Sequence, residues 1–433
     1  MEILKHLNEY LWNFPMIVIL LGTHLFFTFR LKFVQKNVFK GISYSTKPDT
    51  KGHGDLSSFG ALATTLAATL GTGNIIGVST AIALGGPGAL FWCWITGILG
   101  MATTYAECYL SIIFRKKTSD GTYLGGPMYF IEHGLHKKWL AMFYALATLI
   151  ASFGVGCTTQ SNAISTTAKT LWHVSPYIVG FVVAIPIGLV LIGGIKSIGK
   201  VCTALVPAMG IFYILGCIFL ITINFNYLGP SLALILKSAF VPTSIAGGFI
   251  AATLQNACRY GIARGLFTNE AGLGSAGIAA ATAKTDKPAR QALISMTATF
   301  WDTVVMCAVT GIIIVIVMLK SPNLLLSFSI GEYTTAAFSQ IPFGPTILGI
   351  SLIAFASATL LGWFYFGEKA TDYLLGKRAI KFYQLAYIVM IYIGAVMSLE
   401  LVWELTDFIN VFMALPCIYA LFKLREQIKS PYC

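Results

Sequence analysis

Charge is what this chain has least of. Asp, Glu, Lys and Arg make up only 11% of its 433 residues, against about 25% in soluble domains. So few charges cannot coat a soluble globule of this length. The balance is uneven as well, with 17 acidic against 29 basic residues and a net charge of +12. The basic residues lie in short clusters between apolar runs and form no continuous basic face, which argues against a nucleic-acid partner. The nine cysteines are scattered, mostly within apolar segments, with no CxxC and no metal-type spacing. They read as small core residues, which excludes a disulfide-stapled secreted domain. The glycine-rich runs lack the Lys-Ser/Thr that a phosphate loop needs. There is no Ser/His/Asp set and no metal-ligand cluster, so an enzyme is not expected. No cleavage site follows the first apolar run, Pro15 to Phe29, which leads directly into Arg30, Lys32, Lys36 and Lys40. That start suits a prokaryotic inner membrane.

What is present is apolar length. Hydrophobic residues reach 56%, and runs near 20 residues recur, as an all-α polytopic membrane protein requires. Hydropathy predicts about eleven spans, each near the roughly 20 residues that cross a bilayer: 14–33, 56–83, 88–114, 139–168, 175–195, 201–225, 231–264, 290–319, 343–366, 382–402 and 404–422. Basic clusters fall after every second span: Arg30 to Lys51, Arg115 to Lys117 with Lys137 and Lys138, Lys196 and Lys200, Arg259 to Arg290, Lys369 to Lys381, and Lys423 to Lys429. The loops between them are weakly charged or acidic. By the positive-inside rule the N-terminus lies outside and the C-terminus in the cytoplasm.

Two spans read as interrupted. In the second, good helix formers surround Gly71-Thr72-Gly73-Asn74, where each Gly costs a helix about 1 kcal/mol. Close packing explains isolated glycines such as Gly60 or Gly97, but not consecutive polar residues beside them. In the seventh, Thr243 to Phe249 follows Pro242, with Gly261 to Gly265 as the rival break. The former is preferred because Arg259 and Arg264 are expected near the cytosolic face. These weak points open two groups of five spans, 56–225 and 231–422, after an extra first span at 14–33. An odd repeat length inverts corresponding spans. Interrupted spans opening two inverted halves of one membrane domain point to a secondary transporter's binding site.

A broken helix in hydrocarbon strands N–H and C=O groups at several kcal/mol each, so something polar must occupy it. N–H groups near Thr72 and Gly73 suit a carboxylate. Carbonyls at Ala67, Thr69 and Leu70 suit a hard cation, and Asn74 adds a side-chain oxygen. No Asp or Glu lies between Ser57 and Pro87, so a cation held there draws its missing negative charge from the substrate's own carboxylate. Ion and substrate then lower each other's binding free energy.

The stretch from Gly85 to Gly100, GGPGALFWCWITGILG, resembles the signature of the alanine or glycine:cation symporter family, with Cys93 where Met is usual. Arg264 to Ala276, RGLFTNEAGLGSA, is similar to a second family motif, and Thr359 to Glu368, TLLGWFYFGE, to a third. With Gly71–Asn74 they cover residues from about 57 to 380 in order. The resemblance implies a LeuT-type fold of five plus five inverted spans. It also implies Na⁺-driven import of small neutral amino acids, alanine and glycine above all, with Na⁺ as the coupling ion and no other metal. By the same resemblance Gly71, Thr72, Gly73 and Asn74 match the unwound substrate segment, and Gln160 a polar binding position. Thr359 and Trp363 match pocket-lining positions, and Thr359 also lies near a Na⁺ site. Thr359 and Trp363, four apart, share a helix face. The Arg264–Ala276 motif marks family membership rather than ligand chemistry.

Blander roles compete for several of these residues. Gln160 could bridge helices, Thr359 could bond its own helix, and Phe249 could line a pocket or simply pack. Glu107 and Asp302 are intramembrane carboxylates. Pairing of Glu107 with Arg115, and of Asp302 with the basic loop before it, is the expected structural reading. A proton relay through them would instead make the chain an H⁺-coupled symporter. An ion channel is the remaining alternative and lacks pore-lining repeats.

Overall fold

In hydrocarbon a helix satisfies its own backbone, and the apolar runs fold accordingly. The computed structural model describes residues 2–13, 15–47, 49, 52–241, 254–397 and 400–432. Among them seven helices are long and apolar enough to cross a membrane, or eight if one bent pair counts as a span. The bent pair is Ser58–Thr69 with Thr72–Gly85, whose axes diverge by 60°. It is followed by Gly88–Ile113, Lys138–Trp172, Gly194–Ile223, Pro288–Lys320, Gly344–Leu375 and Lys377–Val396. Pro176–Ile192 and Phe408–Lys423 are shorter apolar helices.

Two long helices contain π-turns, which free carbonyls and often mark functional positions. One spans Gly154–Thr158 inside Lys138–Trp172, and the other Phe300–Cys307 inside Pro288–Lys320. The glycine-rich motif at 85–100 is explained by close packing. A methyl on Gly261 would sit 2.2 Å from Ala89 O, and one on Gly97 2.7 Å from Thr303 Cγ2. The helix Leu254–Asn269 thus lies backbone to backbone against Gly88–Ile113.

Among the described residues a second interruption stands at a place the sequence reading did not name. Thr243 to Phe249 lie outside the described residues. Gly261 to Gly265, the rival, is continuous helix within Leu254–Asn269. The chain instead leaves the helix after Asn269 and re-enters one only at Ser275–Ala280. Glu270, Gly272 and Gly274 take φ of 54°, 98° and 82°, left-handed values that glycine adopts freely and other residues rarely. Leu254–Asn269 therefore precedes a break. Arg264 consequently does not sit with the basic cluster at 284–290. It borders a cavity of about 480 Å³ together with Ser329, Glu332 and Thr335 from the opposite connection.

That connection, expected as a plain loop, carries Pro322–Leu325, Ile330–Glu332 and Tyr333–Phe338. It docks on the second half of the bent pair, Thr72–Gly85. Thr334 Oγ1 donates to Ile75 O at 3.0 Å, and Ser79 Oγ to Ile330 O at 2.9 Å.

At the other end of the bundle the segments flanking the two breaks pair with each other. Asp55 N donates to Thr282 O at 2.8 Å, and Lys284 N to Leu56 O at 2.7 Å. Arg115 fastens them, donating to the carbonyls of Ala281, Ala283, His53 and Thr285 at 3.2, 2.9, 3.0 and 2.5 Å. Its guanidinium also lies 4.6 Å from the Tyr123 ring centroid. The expected Glu107–Arg115 pair is absent, because the helix ends at Ile113 and turns Arg115 into a short hairpin, Lys116–Lys117 with Tyr123–Leu124. Arg115→Ala strands partly buried carbonyls at about 1–3 kcal/mol each. It should lower the apparent melting temperature of the detergent-solubilised protein by several degrees, as read by fluorescence-detected size exclusion. Arg115→Lys, which cannot fork to several acceptors, should recover only part of the loss.

Candidate binding site at the helix breaks

The first break is built by Leu70 and Gly71. Leu70 still donates to Leu66 O at 2.8 Å, then turns extended with ψ 91°. Gly71 N–H does not continue the ladder to Ala67 O; it donates to Asn74 Oδ1 at 3.0 Å. A single 3₁₀ turn, Thr72–Asn74, leads into Ile76–Gly85. The carbonyl end of Ser58–Thr69 is therefore released, as Gly71-Thr72-Gly73-Asn74 predicts. Leu70 O accepts from Thr359 Oγ1 at 3.2 Å, while Thr359 also bonds Phe355 O at 3.1 Å. Thr69 Oγ1 bonds back to Thr65 O at 3.3 Å, and Ala67 is fully buried.

Three of the sequence candidates converge at one point. A methyl on Gly71 would lie 2.7 Å from Thr359 Oγ1 and 3.4 Å from Gln160 Oε1. Gln160 is oriented by the π-turn before it, since its Nε2 donates to Val155 O at 3.1 Å. Its Oε1 and the hydroxyl of Thr72 are buried without a hydrogen-bond partner. In a native interior such atoms are rare. Gly73 faces the second break, with Thr268 Cγ2 2.7 Å and Phe267 Cδ1 3.5 Å from the position of an added methyl.

Asn74 has a different local role from the free ligand expected of it. Its oxygen holds Gly71, and its amide donates to Asp302 Oδ1 at 2.7 Å and to Asp302 O at 3.2 Å. Asp302, carried on the second π-turn, also accepts from Thr303 Oγ1 at 2.6 Å. It therefore faces the break rather than the basic loop. Trp363, one turn beyond Thr359, is fully buried against Gly156, and its Nε1 donates to Glu270 Oε1 at 3.0 Å. Thr359 and Trp363 thus reach one break each. Phe249 lies outside the described residues.

Glu270 was not singled out from the sequence. It sits in the second break with a left-handed backbone and accepts from Ser275 Oγ at 2.5 Å. Glu107, across the bundle, accepts from Gly272 N at 2.6 Å through Oε1, while Oε2 has no partner. Three buried carboxylates therefore surround the two breaks, and among the described residues none of the three has an ion-pair partner. The available signal was the run Thr268-Asn269-Glu270-Ala271-Gly272-Leu273-Gly274, an Asn-Glu pair followed by spaced glycines.

Comparison with known proteins places this arrangement. A model described as the sodium:alanine symporter family matches residues 1–431. The chain is 44% identical to the sodium/alanine symporter AgcS of Methanococcus maripaludis, covering 99% of this chain and 96% of that protein. It is 42% identical to an uncharacterized transporter of Haemophilus influenzae, covering 99% and 94%. The fold is shared with solved LeuT-type transporters. One is a Na⁺-coupled sialic acid symporter in a substrate-bound outward-open state, with TM-score 0.60, 11% identity, and 94% of this chain and 98% of that one covered.

Gly71→Ala places a methyl 2.7 Å from Thr359 Oγ1 without demanding a new backbone conformation, since Gly71 has φ −140°. The protein should fold and lose ligand affinity by about 10-fold or more, in line with the 1–3 kcal/mol cost of overpacking. Equilibrium binding of a radiolabelled amino acid to the purified variant checks this. Asn74→Ala leaves Gly71 N–H and Asp302 without their partner and should destabilise by about 2–4 kcal/mol, read as a lower melting temperature.

Proposed function

Because the chain belongs to the sodium:alanine symporter family, we propose that it is a Na⁺-coupled secondary symporter importing small neutral amino acids, alanine and glycine above all, by alternating access. The observation that carries this reading is the break at Leu70–Asn74. It combines released carbonyls, a bare Gly71, and two buried side-chain oxygens without partners, on Gln160 and Thr72. Na⁺ is assigned to oxygens at Ala67, Thr69, Leu70 and Thr359, with Asn74 completing or bracing the set. The substrate carboxylate is assigned to the backbone of Gly71, Thr72 and Gly73, with Gln160 and Trp363 limiting the side chain. Phe249 stays with this set on sequence grounds alone.

The architecture we assign is one membrane domain of eleven spans in a cell inner membrane, N-terminus outside and C-terminus cytoplasmic. It has an extra span at 14–33 and inverted halves at 56–225 and 231–422. The revised second break supports the inversion: Ser58–Thr69 and Ile76–Gly85 correspond to Leu254–Asn269 and Ser275–Ala280. In that orientation the end pinned by Arg115 is cytosolic and closed, and the cavity bordered by Arg264 opens outward.

H⁺ coupling is the second reading, and the buried carboxylates Glu107, Glu270 and Asp302 favour it. Among the described residues none of the three has an ion-pair partner. Proteoliposomes separate the two. Under the primary reading, alanine accumulates with an inward Na⁺ gradient and not with a pH gradient alone, and the reverse result transfers coupling to protons. In the same assay Asn74→Ala should weaken Na⁺ and substrate together, because the two ligands share one coupling free energy.

A further inference from the structure

Transport leaves unused a cluster of like charges at the end of the bundle that Arg115 pins. Lys137, which leads into Lys138–Trp172, and Lys423, which ends Phe408–Lys423, meet on one tyrosine. Lys137 Nζ donates to the Tyr419 hydroxyl at 2.7 Å and lies 4.8 Å from the ring centroid, and Lys423 Nζ lies 5.9 Å from the same centroid. A methyl on Gly134 would meet Leu424 Cδ1 at 2.8 Å and Phe114 Cζ at 2.9 Å. The start of one helix and the end of the other thus lie beside Phe114, the chain neighbour of Arg115. Two ammonium groups on one ring repel each other, and among the described residues neither has an ion pair. The Tyr419 hydroxyl accepts from Lys137, and among the described residues no bond uses its own hydrogen. The cluster therefore presents donors and positive charge, with no anion to receive them.

Next to the lysines the surface is apolar. Leu415, Tyr419 and Lys423 recur every fourth residue on one helix face, and all three are exposed. On the neighbouring helix Trp139, Met142 and Leu146 are exposed at steps of three and four. The rings of Phe143 and Phe412 meet at 5.8 Å between the helices, so the two stripes flank one seam. Trp139, 67% exposed, stands at the helix start beside the lysines, where an indole anchors in the headgroup layer. Exposed apolar stripes on a membrane protein's helices face acyl chains. Cations at the head of such a seam and hydrocarbon along it complement one class of ligand, which a free phosphate or a soluble acidic peptide matches only in its charge.

We propose that this seam is a binding site for an anionic phospholipid, its phosphate held between Lys137 and Lys423 and accepting from Tyr419, its acyl chains along Leu415 and Leu146. The lipid neutralises two lysines that otherwise repel each other. It ties the start of Lys138–Trp172 to the end of Phe408–Lys423, and it does so whichever ion drives transport.

Native mass spectrometry of protein extracted from vesicles of equal phosphatidylglycerol and phosphatidylcholine tests it. The wild type should retain phosphatidylglycerol and release phosphatidylcholine. Lys137→Gln combined with Lys423→Gln should weaken phosphatidylglycerol binding about 30-fold, which is about 2 kcal/mol at about 1.4 kcal/mol per tenfold, as expected for two basic residues near a membrane surface. Lys137→Arg with Lys423→Arg keeps both charges and should keep the lipid. Lys196→Gln with Lys200→Gln removes the same charge from another exposed basic cluster and should leave retention unchanged; an equal loss there would reveal diffuse attraction and overturn the site. Equal retention of both lipids by the wild type would overturn it too, and a dimer mass without lipid would give the face to a second copy of this chain. Added phosphatidylglycerol should also raise the melting temperature of the wild type and not that of the Lys137→Gln, Lys423→Gln variant. A variant that is merely less stable would keep that lipid-dependent rise, and this result ends the proposal.

Discussion

A backbone amide with no helical partner cannot be left bare in hydrocarbon, and the architecture around residues 70–74 and 270–274 follows from that constraint. Each unsatisfied group costs several kcal/mol, so a break persists only where other groups take over. Asn74 takes Gly71 N–H, Thr359 takes Leu70 O, and Thr334 takes Ile75 O. At the second break Glu107 takes Gly272 N–H. All of these struts but Asn74 come from elements distant in sequence, so forming either break requires much of the bundle in place. What the struts leave unsatisfied, chiefly Gln160 Oε1 and Thr72 Oγ1, is the polar capacity available to a ligand.

The same struts tie the breaks to each other. Asn74 leads to Asp302, Asp302 to Thr303, and Thr303 lies 3.4 Å from the hydroxyl of Thr268, which faces Gly73. Trp363 joins the helix carrying Thr359 to Glu270. A charge placed at one break is therefore felt at the other through a few short bonds in a low-dielectric interior, where such interactions are screened little. Under the proposed symport this is the route by which the two ligands would couple reciprocally, with the two broken helices as the elements both would bias.

The first break was legible because its signal is concentrated: two glycines, a threonine and an asparagine interrupt a run of strong helix formers. The spacing of Thr359 and Trp363 was legible for the same reason, being a property of one regular helix. The break at residues 270–274 was not. Asn269-Glu270 with Gly272 and Gly274 reads equally as a polar loop, and the positive-inside rule assigned Arg264 to the cytosol. That rule weighs arginine against lipid, whereas Arg264 borders a cavity. Glu107 and Arg115 stand eight apart, about 12 Å along a helix axis at 1.5 Å per residue, beyond the three- or four-residue spacing at which helical side chains pair. The helix stops at Ile113, and two residues of lost register separate them. The partners of Asn74 and Gln160 depend on π-turns, which have no sequence period of their own and are invisible to pattern reading.

The two ends of the bundle differ in kind. At the end of residues 52–56 and 281–286 the closure is backbone to backbone, with Arg115 bonded across several carbonyls. At the opposite end a cavity with two charged side chains remains. Each hydrogen bond in the closed end contributes about 1 kcal/mol net, so the seal as a whole is on the order of several kcal/mol. A ligand pair that binds the other conformation more tightly by a similar amount suffices to reverse the populations. Under the proposed symport cycle, a seal of this size would hold when the breaks are empty and open when both ligands are seated.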